Sequence, residues 1–351
     1  MKQERSLTTF LCVTCLVVSL IGAAAPSITA QESEPIATQL AKAMDMYTVG
    51  EINKGLKITQ DLLSQDNLTS VDSIAVFEVM SLLTYSKGVD YMNLAADYLK
   101  KISAIGPCLI RLPREIWPSE LRDVWNSLQY GSASFVCAQD GGSDVKSIAF
   151  MEFDNNSVGK YQENLGPLAK GLAELFAHYF RNISSFTVIE RDKINFVLKE
   201  LELQKSGAVD RSTAVKVGKI IGAQYMVFGS IMQLDDKNSI TLVRVVNVET
   251  SEIIESLDRE GKPQFVKAVR EMVEELSNKL DVQLSDEIKQ LIQEGGTDSD
   301  NAATLYSKGL EYMDKYEYES AYEYFKQAYE MDNGFAEAKR KMDLYRPLIK
   351  G

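Results

Sequence analysis

Few residues in this 351-residue chain have the types and spacing that chemistry needs. His178 is the only histidine. A single imidazole with no second histidine or cysteine beside it assembles neither a metal cluster nor a catalytic relay, so it reads as a packing or surface residue. Glu190-Arg191-Asp192 places three charges where a strand turns into a helix. It reads either as a charged site or as a capping and ion-pair corner, and the second is preferred. The sequence carries no Walker loop, no G-x-G-x-x-G and no G-x-S-x-G. Gly218 and Gly222 form a G-x-x-x-G, which in a soluble amphipathic helix means close packing. No set of acid, base and nucleophile can be assembled. The expectation is a protein that is not an enzyme and that uses no cofactor or metal.

Lys2 and Arg5 precede an apolar run from Phe10 to Ala25, and Ile28-Thr-Ala30 precedes a polar stretch. This is the layout of a secretory signal peptide cleaved after Ala30, so that the mature chain starts at Gln31. A retained membrane anchor is the alternative, though the run is short beside the ~20 residues of a bilayer span. Cys12 and Cys15 follow Leu11 and Thr14, where lipidation needs a small residue. Cys108 and Cys137 remain in the mature chain, and export permits a disulfide between them. Sequence leaves that pairing and two free thiols equally open. The net charge of −12 argues against a nucleic-acid partner, which requires a basic face.

The elements that must carry these residues fall into three groups. Residues 31–130 have helical periodicity throughout, with breaks at Gly50, Ser64–Asn67, Gly88 and Gly106-Pro107. Small Gly55 and Ala95 suggest degenerate tetratricopeptide pairs. Ser70 or Asp72 is a cap candidate for the third helix. Trp117 and Trp125 read as a plug at the end of this array in preference to a ligand platform. Residues 131–145, small and polar, read as a linker. Residues 146–283 alternate strands and helices: Ser147–Phe153, a long helix through Leu168, Leu172 and Phe176, Phe186–Glu190, a helix that Asp192 can cap, a helix opened by Asp210 and closed by Gly222, then strands 224–234, 239–248 and 252–257 and a last helix. Residues 284–300 read as a helix end and a linker. In residues 301–351, Leu305-x-x-x-Gly309-x-x-Tyr312 with Ala321-x-x-x-Phe325 and Ala328 matches the tetratricopeptide pattern except at Lys308 and Asn333. The fold expected is an α/β (α+β) central domain with a mixed sheet and packed helices, flanked by all-α, tetratricopeptide-like hairpins. One repeat cannot bury its own face, so Tyr306, Leu310 and Met313 are candidates for a partner surface.

Four motifs carry a family resemblance: Ile148-Ala-Phe-Met-Glu-Phe153, Phe186-Thr-Val-Ile-Glu-Arg191, Ala223-Gln-Tyr-Met-Val-Phe-Gly-Ser-Ile231 and Arg244-Val-Val-Asn-Val-Glu-Thr-Ser-Glu-Ile253. In this order they resemble the CsgG/HfaB family of curli-secretion and holdfast-anchor proteins. The resemblance implies a ring in the outer membrane, a pore of two long β-hairpins per subunit and a lipidated N-terminal cysteine. It also implies that the loop after the first strand, with Asp154, Asn155, Asn156 and Tyr161, is a functional loop, since the matching region lines the family's pore constriction. The chain departs from this pattern. It lacks the lipidation site, and Asp235-Asp-Lys-Asn238 leaves no room for the ~9–11 alternating residues of a membrane strand.

The expectation is a periplasmic scaffold or accessory factor for secretion or assembly of surface structures. It would act through protein partners in the cell envelope, with a homo-oligomeric ring through the α/β domain open to it and no intrinsic transmembrane pore. The alternative is a soluble periplasmic tetratricopeptide module that captures a peptide or protein without any role in secretion.

Overall fold

Helices start where a polar side chain can accept the first free N–H groups and stop where glycine or a polar turn intervenes. The computed structural model describes residues 34–110, 116–137, 145–201, 210–294 and 296–349; the expected cleavage site at Ala30 and Gln31 lies outside them. Four antiparallel helices open the chain: α1 (Ile36–Thr48), α2 (Ile52–Leu63), α3 (Ser70–Tyr85) and α4 (Met92–Ile105). The cap of α3 is Thr69, not Ser70 or Asp72. Its hydroxyl accepts from the Asp72 N–H at 3.1 Å, and the Asp72 carboxylate accepts from the Thr69 N–H at 3.2 Å. The two bonds form a reciprocal capping box. Helix α3 is central to this array, with Ile74, Val79, Leu82 and Leu83 buried. Gly55 of α2 is required there, because a Cβ would lie 3.0 Å from the Ala43 carbonyl oxygen and 3.1 Å from Leu83. Helix α5 (Ser119–Gln129) closes the end, and Trp117 and Trp125 are buried with ring centroids 5.9 Å apart, as a plug.

The sheet has the order β3-β1-β4-β5-β6, with β2 also paired to β4. Its strands are β1 (Lys146–Phe150), β2 (Asp154–Asn155), β3 (Phe186–Val188), β4 (Tyr225–Gln233), β5 (Ser239–Asn247) and β6 (Ile253–Gly261). Strand β1 pairs in parallel with β3 and β4, while β4, β5 and β6 form an antiparallel meander. The step from β1 to β3 and the step from β3 to β4 cross the sheet in opposite directions. Right-handed crossovers therefore place their helices on opposite faces. Accordingly α7 (Gly166–Arg181), which follows the short α6 (Lys160–Asn164), covers one face. Helices α8 (Arg191–Glu200) and α9 (Arg211–Ile221) cover the other. Strand β4 serves both cores, sending Val227 and Ile231 to the first and Met226 and Phe228 to the second. At Gly229 a Cβ would sit 2.5 Å from the Leu242 carbonyl oxygen, the close approach that a glycine inside a strand suggests.

Several expected boundaries shift. Asp192 does not cap α8. The N-cap position belongs to Glu190, without a side-chain cap bond, and Asp192 lies inside the first turn. Asp210 does cap α9, accepting from the Thr213 N–H at 2.8 Å, and Gly222 ends that helix in the left-handed conformation. The last strand runs to Gly261, four residues beyond Leu257. Its pairing with β5 continues to Ser239, because the run 258–261 has the ladder partners that its polar sequence hid. Within 131–145, Phe135 is buried in the core of α8 and α9, while Gly131, Ser132, Ala133 and Val136 stay exposed.

After β6 come α10 (Phe265–Lys279), α11 (Asp286–Glu294), α12 (Asp300–Asp314), α13 (Tyr318–Met331) and α14 (Ala336–Tyr345). The Asp300 carboxylate accepts the Phe265 and Val266 N–H groups at 3.1 and 2.9 Å, fastening the start of α10 to the start of α12. Helix α12 lies against α7, and a Cβ at Gly171 would overlap the Ser307 hydroxyl. One apolar core runs from Ile148 and Phe176 through Val269 and Met272 to Phe325 and Tyr345. The described residues from Ile36 onward accordingly form one compact unit. Among the described residues no helix is long and apolar enough to cross a membrane.

Candidate functional site

Strand β1 leaves the sheet at Phe150 and the chain rejoins it as β2, pairing with the far half of β4. The loop singled out by sequence is thus an edge extension with fixed geometry. The Asn155 side chain donates to the Gln162 carbonyl at 2.7 Å and accepts from the Ser157 N–H at 3.1 Å. The Ser157 hydroxyl accepts from the Gln233 N–H at 2.9 Å, and the Asn156 N–H donates to the Ile231 carbonyl at 2.8 Å. The Tyr161 hydroxyl donates to Asp236 at 2.5 Å, joining this loop to the tight turn between β4 and β5. In that turn the Asp235 carboxylate accepts from the Asn238 side-chain amide at 2.7 Å and from the Lys237 and Asn238 backbone N–H groups, which pull its pKa down. The Val158 N–H donates to the Gln233 carbonyl at 3.1 Å, so positions 158 and 234 are neighbours at the end of the sheet. Val158 and Leu234 are 48% and 46% exposed, and polar Lys160, Asp235 and Asp236 follow them closely in sequence. Asp154 and Asn155 are half-buried in the pairing. The arrangement holds two apolar side chains in water on a frame of hydrogen bonds, which suits contact with another surface.

A second constellation lies inside the molecule and was missed except at its middle. Arg191 donates to Asp314 of α12 at 2.6 and 2.8 Å and to Glu152 at 3.0 Å. Asp192 pairs with Arg122 of α5 at 2.7 Å, both side chains nearly sealed from water. Lys170 of α7 pairs with Asp314 at 2.8 Å. One turn further along α7, Glu174 takes Arg181 at 2.8 Å, and His178 lies 3.3 Å from Glu337 of α14, which also holds Arg340. Burial would raise the Asp314 carboxyl, but Arg191 and Lys170 hold it well below the usual carboxylate range. Burial likewise opposes ionisation of Glu174, yet Arg181 and Lys341 bring its pKa down to about 2. Burial lowers His178 against the pull of Glu337, so the imidazole is neutral near pH 7. Lys341 is 4% exposed and makes no ion pair among the described residues; burial and the neighbouring Arg340 lower it to about 8. The ion-pair half of the corner reading of Glu190-Arg191-Asp192 therefore fits and the capping half does not, and the partners of Arg191 and Asp192 come from α5, α12 and the stretch after β1. Sequence offered one signal, Lys341 set between Ala338, Met342 and Tyr345 on the apolar face of α14.

Cys108 and Cys137 are joined, with Cα atoms 5.3 Å apart. The bond ties the turn after α4 to the segment that carries Phe135 into the sheet's second core. The partner surface expected at Tyr306, Leu310 and Met313 is corrected. All three are buried, Tyr306 completely, and its ring packs on Phe325 and Phe335 at 5.4 and 5.1 Å. The repeat buries its face on α7 and α14 within the same chain. Among the described residues no cluster of His, Cys, Asp and Glu could hold a metal ion.

The fold is thus an α/β domain with a mixed sheet and helical flanks. Residues 138–241, under a third of the chain, match the family model described as "Curli production assembly/transport component CsgG". The match spans β1 to the start of β5. Among solved structures, the LpoB C-terminal domain from Salmonella enterica is similar at 20% identity, covering 34% of this chain and 85% of that one, with a TM-score of 0.26. The LpoB C-terminal domain from Escherichia coli is similar at 18% identity, covering 37% and 89%, also at 0.26. The NMR structure of E. coli LpoB gives 17% identity, 37% and 62% coverage and 0.28. No curated protein matches the chain.

Proposed function

We propose that this chain is a non-catalytic cell-envelope protein that works by protein–protein contact, as a scaffold or accessory factor for secretion or assembly of surface structures. The observation that carries the reading is the exposed pair Val158 and Leu234, held on the sheet end inside the CsgG-matched stretch. The short turn between β4 and β5, residues 234–238, supports a role without a pore hairpin at that position. A photo-crosslinking residue placed at Val158 in the exported protein tests it. A discrete crosslinked product, absent when the probe sits at exposed Gln327 on α13, is expected. Equal or no crosslinking at the two positions removes the reading.

The reading as a binding module that captures a peptide draws on a different surface. Val89 is 86% exposed, beside half-exposed Leu94 on α4. The same probe at Val89 separates the two, since a capture module crosslinks there and not at Val158.

A further inference from the structure

The buried charges of α5, α7, α8 and α14 enclose a cavity of about 10 Å³ lined by Arg122, Glu174, Arg191, Asp192, Arg340 and Lys341, among others. Five of its lining side chains are cationic and three are anionic. The carboxylates of Glu174 and Asp192 are taken by Arg181 and Arg122. The third lining carboxylate, Glu190, stands at the N-cap of α8 and adds to the field at Arg122. The Nε–H of Arg122 and the Nε–H of Arg191 are buried without a hydrogen-bond partner. The Lys341 ammonium makes no ion pair among the described residues and is almost sealed from water. The two unsatisfied N–H groups belong to residues that line one small space with Lys341, and they need an acceptor, because a buried donor without a partner carries its full desolvation penalty. Guanidinium and ammonium groups offer donors and no acceptors. A water molecule there could give its protons only to the lining carboxylates, of which Glu174 and Asp192 are already held by Arg181 and Arg122. A phosphate, sulfate or carboxylate exceeds a space that holds about one water. The low-dielectric surroundings strengthen the attraction of any anion to these groups.

We propose that this cavity is a binding site for one monatomic anion of chloride size, held by the Lys341 ammonium and the Nε–H groups of Arg122 and Arg191. The anion joins α5, α8 and α14, one element from each of the three segments of the chain, and so makes closure of the junction depend on halide. The inference is independent of the proposed partner surface.

Crystals of the wild-type protein grown in sodium bromide test it by anomalous diffraction at the bromine edge. A bromide peak beside Lys341 Nζ is expected, and a cavity holding water alone, without a peak, overturns the proposal. In solution, chloride is exchanged for gluconate, which is too large for the cavity, at constant ionic strength. Above the dissociation constant, each tenfold rise in chloride should lower the unfolding equilibrium constant about tenfold. Lys341→Met should remove this dependence. If that variant does not fold, the wild-type chloride series decides, and equal stability in the two salts overturns the site.

Discussion

The sheet end and the charged junction are built from the same kinds of residue and behave in opposite ways. At the sheet end, Asn155, Ser157, Tyr161 and Asp236 bond mostly to backbone or to side chains on two adjoining loops, and Val158 and Leu234 remain in water. At the junction, Arg122, Arg191, Asp192 and Asp314 bond to side chains far away in the chain, and all but Asp314 are buried. A surface pair contributes little to stability because water screens it. A buried pair leaves an uncompensated charge when one partner is lost. The first region can therefore change to suit a partner without unfolding the protein, while the second fixes how the three segments meet.

The largest effect should come from breaking the junction. Asp192→Asn leaves Arg122 buried without its carboxylate and should lower stability by about 3–5 kcal/mol in urea denaturation. The double variant Arg122→Met with Asp192→Leu should recover most of this, since it leaves no orphan charge. A loss below 1 kcal/mol for Asp192→Asn would mean that water reaches the pair and that the contrast with the sheet end is false.

This contrast also explains what was legible in the sequence. The strands β1, β3, β4 and β5 and the helices α7, α9 and α10 announce themselves through local periodicity, and Asp210 and Gly222 mark their helix ends within one turn. The loop at Asp154–Tyr161 was visible because it lies between a clear strand and a clear helix. The extension of β6 to Gly261 was not, since an edge strand carries charges where a central one carries apolar residues. The junction was invisible because its pairs join residues 70 and 123 positions apart, and no window of sequence contains both partners. For the same reason Tyr306, Leu310 and Met313 looked like a free repeat face. Helix α7, which covers them, lies far upstream.

Reduction of the Cys108–Cys137 bond comes next in size. The bond spans 29 residues, and its removal should lower stability by about 3–4 kcal/mol through the freed entropy of the unfolded chain. Unfolding with and without reductant checks this, and unchanged stability would mean that the N-terminal helices are held by the junction alone.

A pH effect follows from Lys341. Its folded pKa of about 8 lies below the usual lysine value, ~10.4 in an unfolded chain. Between these values the unfolded state binds a proton that the folded state does not, so this group makes stability rise with pH from about 8 to 10. Facing it are Arg122 from α5, Glu174 and Arg181 from α7, Glu190 before α8, Arg191 and Asp192 from α8, and Glu337 and Arg340 from its own helix. The difference in unfolding free energy between wild type and Lys341→Met should change by up to about 3 kcal/mol over that window. A difference that stays flat in chloride-free gluconate buffer would place Lys341 in water.

The smallest stability effect belongs to the sheet end. Val158→Glu and Leu234→Glu change exposed side chains and should each shift stability by no more than about 0.5 kcal/mol, and Leu234→Glu should abolish the crosslink expected from the probe at Val158. A large loss of stability would show that the two residues are core.

The central claim is that the junction and the shared core weld three segments into one folding unit. Both tryptophans, Trp117 and Trp125, lie in the N-terminal helical segment, so their fluorescence reports that segment alone. Far-UV circular dichroism reports the helices of the whole chain. Urea unfolding followed by both signals on the oxidised protein should give one coincident transition. A tryptophan transition displaced from the circular dichroism transition would show that the segments fold separately and would contradict the account.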